Sequence, residues 1–293
     1  MARASLRGMG IAVPALLLMA QVGCEAEGGA QLTLRGALFD ASPGVVLADP
    51  AGTAAHRLSG GALVAHALAD ASAYAAEEGG DFASLAVAEA AFSDTDPGAF
   101  TLTGEAIVEG ASLTLVASAP GRAPTAFIGQ LPMVSDRYDW FRFFDGALFS
   151  EPEEALAERV RSLVGDASPA VPDAAEDGSG CLVFGQLVSD PALGVDGGVS
   201  PIEGGRIGVS PVRGGGPGEA LPATYLDEDG AVDLDLDATS PYGAFFVAGV
   251  PAGVVEIAAE SPGGAALSPP QRSLCVEDGM IWLSPFYLPG TAP

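Results

Sequence analysis

The chain has 293 residues, of which 38 are Asp or Glu and 12 are Arg, with no Lys, so its formal charge is −26. A surface of that sign repels nucleic acid and anionic headgroups; it sets both aside as partners and leaves cationic partners or a divalent counterion. The acids are spread along the chain rather than gathered in one tail, which reads as a solvated acidic surface. With 48% hydrophobic residues there is ample material for packed cores, and the length suits two ordinary domains.

The first 23 residues predict a secretory leader: Arg3 and Arg7, an apolar run over Met9–Ala20, then small residues. That run is well short of the roughly 20 apolar residues a membrane-spanning helix needs. Cys24 follows Gly23 at the expected cut, and this arrangement resembles the lipobox of bacterial lipoproteins. The resemblance implies that Cys24 is acylated and becomes the new N-terminus. Gln21 departs from the Leu expected three residues before the cysteine, and the alternative is ordinary cleavage nearby, after Ala26, with no lipid. The leader carries two arginines and no acid, so the mature chain is more acidic still. Residues 24–30 read as a tether.

A first module is expected over 31–133. Leu34-Arg-Gly36-Ala-Leu38, Gly60-Gly61-Ala-Leu63-Val-Ala65, Asp96-Pro-Gly98-Ala-Phe100 and Gly110-Ala-Ser-Leu-Thr-Leu-Val116 are short runs bounded by turn residues, as strands are. The alanine-rich stretch Ala62–Phe92 is the exception, with helical options around 73–78 and 82–91. Residues 134–179 then interrupt the β pattern. Tyr138, Trp140 and Phe141 lie in the densest aromatic cluster of the chain, either as a stacking platform for a ligand such as a sugar or as packing for the segment that follows. Ser150-Glu-Pro-Glu153 has the form of a capping box, and Leu156, Val160, Leu163 and Val164 follow at helical spacing, which predicts one amphipathic helix over 151–164 closed by Gly165. The rest, up to 179, is rich in Pro, Asp and Ser and reads as linker.

The second module, 180–289, repeats the landmarks of the first in the same order. Val183-Phe-Gly185-Gln-Leu187 answers the first run, Gly204-Gly205-Arg-Ile207 the second, Pro241-Tyr-Gly243-Ala-Phe245 the third, and Gly253-Val-Val-Glu-Ile257 the fourth. Phe100 and Phe245 are expected to point into their cores. Four landmarks in one order predict two copies of one antiparallel β-sandwich, transthyretin- or Ig-like, with the amphipathic helix between them. Gly243-Ala-Phe245, together with Pro251-Ala-Gly253 and the strand after it, resembles the carboxypeptidase regulatory-like domain. That resemblance implies a transthyretin-type sandwich acting as a non-catalytic accessory module, and it brings no catalytic residues with it.

With Cys24 assigned to the anchor, Cys181 and Cys275 remain. In an exported chain two such thiols pair, which would staple the first strand of the second module to a late one; the alternative is two buried free thiols. The acidic run Asp227-Glu-Asp229, then Asp233, Asp235 and Asp237, is expected to set three carboxylates on one face of a strand. There calcium, an oxygen-seeking cation, is a candidate against a simply solvated face. Asp94-Thr-Asp96 is a smaller candidate. The histidines, His56 and His66, read as surface residues, and no G-x-S-x-G, H-E-x-x-H, phosphate-loop or dinucleotide motif is present. With these resemblances the sequence reads as an exported, lipid-anchored envelope protein, expected at the outer membrane or cell surface, non-catalytic and without an assigned cofactor, contacting an envelope protein or a glycan. A carbohydrate-binding lipoprotein built on the aromatic platform is the alternative, and an envelope hydrolase is a third.

Overall fold

The structure is a computed structural model that describes residues 31–40, 57–68, 85–108, 111–130, 145–150, 152–167, 180–188, 201–213, 216–266 and 270–287. The fold is mostly β. The first half contributes β1 (Leu34–Asp40), β2 (Ala62–His66), β3 (Ala86–Ala91), β4 (Ala99–Leu102), β5 (Ser112–Ser118), β6 (Thr125–Gln130) and β7 (Asp145–Ser150), and then the helix α1 (Glu153–Ala167). The second half contributes β8 (Cys181–Val188), β9 (Arg206–Arg213), β10 (Gly216–Pro217), β11 (Thr224–Leu226), β12 (Val232–Asp233), β13 (Ala244–Val250), β14 (Gly253–Glu260), β15 (Gln271–Cys275) and β16 (Met280–Tyr287).

Each half is a sandwich. In the first, Leu34, Leu38, Phe100 and Leu102 of β1 and β4 close on Leu63, Ala65, Leu113 and Leu115 of β2 and β5 in one buried cluster. In the second, Val183, Leu187, Phe245 and Val247 of β8 and β13 meet Val209, Val255, Ile257 and Leu274 of β9, β14 and β15. Alternation along each strand places these residues inward, as the pleat requires. Phe245 is fully buried and Phe100 nearly so, both inside as expected.

The repeat holds at the level of single hydrogen bonds. Gly36 stands opposite Phe100 in the β1–β4 pair, and Gly185 opposite Phe245 in the β8–β13 pair. The Leu38 N–H donates to the Gly98 carbonyl at 3.0 Å, and the Leu187 N–H to that of Gly243 at 2.9 Å. Leu58 and Ile202 each return a 2.9 Å bond to those same leucines. Gly98 and Gly243 share a left-handed backbone, φ +73° and +74°, at the entry to β4 and β13.

Three pairings are parallel where antiparallel ones were expected: β1 with β7, β8 with β16, and β6 with β16. A parallel neighbour needs a long crossover, and β7 and β16 supply it by returning to the first strand of their own half after the rest of that sandwich has formed. β7 lies beyond residue 133, so the first sandwich reaches past the expected end of its module. The β6–β16 pair, with Thr125 opposite Met280 and Phe127 opposite Trp282, joins the two halves. It makes one nine-stranded sheet of order β12-β11-β13-β8-β16-β6-β5-β2-β3.

Two local expectations are corrected. Ala86–Ala91 is a strand, not a helix, because it pairs with β2 along its length, and pairing outweighs the mild helical preference of alanine. The helical option at 73–78 lies outside the described residues. The helix begins at Glu153, two residues later than predicted, because Ser150 stays in β7 opposite Asp40. The Leu156 N–H then donates to the Pro152 carbonyl at 3.0 Å, the first bond of the helix, which runs on through Gly165 to Ala167. Leu156 and Val160 pack on Phe246, Ala244 and Met280, the outer face of the second half's larger sheet.

Candidate functional site

The joint between the halves holds the most unusual chemistry among the described residues. On β5, Leu113, Leu115 and Ala117 face the first core, so Thr114 and Val116 face away from it. Val116 and Ala126, with Leu68 and Leu85, enter the core of the second half, so both faces of this sheet are buried. The Thr114 hydroxyl donates to the Arg272 carbonyl of β15 at 3.4 Å, and the Met280 N–H to the Pro124 carbonyl at 2.8 Å. Arg272 Nε lies 3.6 Å from Glu256 Oε2 across the β14–β15 pair.

His66 belongs to this joint. It stands opposite Thr114 in the β2–β5 register, and directly opposed residues of an antiparallel pair project to the same face. It is only 6% exposed, which corrects its reading as a surface histidine. Its Nδ1 is buried without a hydrogen-bond partner, as is the Ser273 hydroxyl on β15. Burial pushes the imidazole below the ordinary histidine value of 6.5, opposed by the backbone groups of Thr114 and Val64. Alternation turns Leu63 and Ala65 to the first core and His66 to the opposite face, so no local pattern signals its burial, which comes from the second half of the chain.

The acidic run is built differently from the expected strand. β12 ends at Asp233, and a turn follows, so Asp233, Asp235 and Asp237 do not alternate along one strand face. Asp227 Oδ1 accepts the N–H groups of Asp229 and Ala231, both at 2.9 Å, and Asp233 Oδ1 that of Asp235 at 2.9 Å. Asp237 Oδ2 takes Arg206 Nη2 at 2.7 Å. These carboxylates shape turns, the usual work of Asp at such positions. In the first half, Asp96 likewise takes Arg57 Nη1 at 2.8 Å. Among the described residues no group of three acidic, His or Cys side chains is placed to hold a metal ion.

Cys181 and Cys275 form a disulfide, with Cα atoms 5.7 Å apart. It joins β8 to β15 and so ties the two sheets of the second sandwich. In the first half, Leu32 stands where the register of β1 would place the counterpart of Cys181, so only one copy carries the staple. A further element escaped the sequence reading. Arg122, in the turn before β6, donates Nη1 and Nη2 to the two carboxylate oxygens of Asp40 at 2.7 and 3.0 Å, partly buried. Arg122 also bridges to Pro152, so this fork fastens the end of β1 to the start of the helix.

Cys24, His56, Tyr138, Trp140 and Phe141 lie outside the described residues. Among the described residues no helix is long and apolar enough to cross a membrane.

No protein-family model and no curated protein sequence matches the chain. Among solved structures it is similar to the Bacillus anthracis TIE protein, at 10% identity and a TM-score of 0.22 over 86% of this chain and 33% of that one. It is also similar to the shaft pilin SpaA of Lactobacillus rhamnosus GG, at 12% identity and a TM-score of 0.26 over 90% of this chain and 100% of the pilin. A double mutant of the same pilin matches at 13% identity and the same TM-score. The chain therefore spans a third of the length of the TIE protein. Scores this low do not describe a shared fold.

Proposed function

We propose that this chain is an exported, non-catalytic structural or binding component of the bacterial envelope, held there by a lipid on Cys24. The observation that carries the reading is the fusion of two copies of one sandwich into a nine-stranded sheet with a shared core. Such a body suits a stiff spacer or display platform, because its buried face leaves little freedom between the halves. The disulfide supports export, since such bonds persist in oxidising compartments.

Within this reading the second half is a sandwich akin to the carboxypeptidase regulatory-like domain. Three features support that: Gly243 in the left-handed region, Phe245 buried beneath it, and the Pro251-Ala-Gly253 turn into β14. Anchoring is tested by expressing the full chain in a bacterial host and measuring the intact mass of the mature protein. A diacyl or triacyl mass increment beginning at Cys24, lost in Cys24→Ala together with membrane fractionation, is the expected result. A mature N-terminus elsewhere, without acyl mass, overturns the anchor.

A further inference from the structure

We propose that His66 makes the joint between the two halves acid-labile, so that taking up a proton there releases β6 from β16 before either sandwich unfolds. The ring is buried on the sheet face that β5 turns toward the second half, beside Thr114, whose hydroxyl reaches the Arg272 carbonyl. Its Nδ1 has no hydrogen-bond partner, and the backbone groups of Thr114 and Val64, which favour the added proton, do not outweigh the burial. Among the described residues, the elements around it offer no buried carboxylate to neutralise the imidazolium. β5, β6 and β16 carry no acidic or basic side chain. On β3 the one charge is Glu89, which is exposed at the sheet's end, and on β15 it is Arg272, a second cation, already facing Glu256 of β14. A bare cation in such a site is costly, and separating the halves lets water solvate it. The pairing to be released is short, three residue pairs from Met280–Thr125 to Trp282–Phe127.

The sign follows from linkage. A histidine that prefers to be neutral when folded leaves stability intact above its unfolded value of 6.5 and removes it as pH falls from there toward its lower folded value. The chain has two histidines, so each can be removed in turn. The test is hydrogen exchange on the mature full chain at about pH 7.5 and about pH 5, corrected for intrinsic rates, in the native protein and in His56→Gln and His66→Gln. Amides of 125–127 and 280–282 should lose protection by up to about tenfold per pH unit below 6.5, while those of 34–38 and 207–212 keep theirs. The response should persist in His56→Gln and vanish in His66→Gln. Unchanged protection, an equal response in His66→Gln, or one loss spread over both sandwiches overturns the proposal. If His66→Gln does not fold, His56→Gln decides: the NMR titration of its remaining imidazole and the loss of protection must share a midpoint, and separate midpoints overturn it.

Discussion

Three glycines show how much a single Cβ can matter in this fold. Gly98, Gly243 and Gly230 all occupy the left-handed region, at φ +73°, +74° and +79°. An added Cβ at Gly98 would lie 2.6 Å from the Leu58 carbonyl oxygen and 2.7 Å from that of Leu38; at Gly243 it would lie 2.7 Å from the Leu187 oxygen. At Gly230 it would meet nothing within 4 Å. Gly230→Ala should therefore cost only the conformational penalty, about 1–2 kcal/mol. Gly98→Ala and Gly243→Ala add a clash with backbone that cannot swing aside, and both should lose clearly more in urea titration. Equal losses at the three positions would mean that the shared corner is not under steric constraint. These two glycines were legible as sequence landmarks because each opens the same Gly-Ala-Phe step, Gly98-Ala-Phe100 and Gly243-Ala-Phe245. His66 was not legible in the same way, since what buries it is the other half of the chain, far away in sequence.

Among the elements, the helix and the disulfide divide what local pattern could and could not foretell. The apolar spacing of Leu156 and Val160 marked the helix and its buried face. Its start was misplaced because Ser150 is held by strand pairing with Asp40, a contact more than a hundred residues distant that capping chemistry at 150–153 does not encode. The acidic run failed similarly: alternating Asp and Leu over 233–237 looks like a strand, but local carboxylate bonds to N–H groups turn the chain instead. The Asp40–Arg122 fork is the tertiary contact that fixes the helix start, and charge-assisted forks of this kind are geometrically specific. Arg122→Ala should destabilise the fold by about 1.5–3 kcal/mol and loosen the first turn of the helix, read as faster amide exchange at 153–157. An unchanged exchange rate would show that Leu156 alone seats the helix. The disulfide was readable from cysteine counting. Replacing both cysteines by serine should cost about 2–5 kcal/mol, since the bond closes a long loop across two sheets.

At the scale of the whole molecule, the sequence supplied two copies and a helix, and the strands of each copy were visible in their apolar alternation. What it could not supply was the joint. The residues that make it, Thr125–Phe127 and Met280–Trp282, are ordinary β sequence, and nothing local marks an edge that will be paired by a strand from the other copy. Yet that pairing changes the thermodynamics. Leu68, Leu85, Val116 and Ala126 of the first half are buried in the core of the second, so neither half can unfold without uncovering apolar surface on its neighbour. At neutral pH the full chain should therefore melt in one calorimetric transition, with the van't Hoff and calorimetric enthalpies equal. Removing the disulfide, which lies wholly in the second half, should move that single transition down rather than split it. The second half expressed alone, as residues 180–289, should melt at a lower temperature than the full chain and self-associate through the edge of β16 that β6 otherwise covers. Two resolved transitions in the full chain, with only one moved by the loss of the disulfide, would show that the halves are independent sandwiches and that the nine-stranded sheet does not couple them.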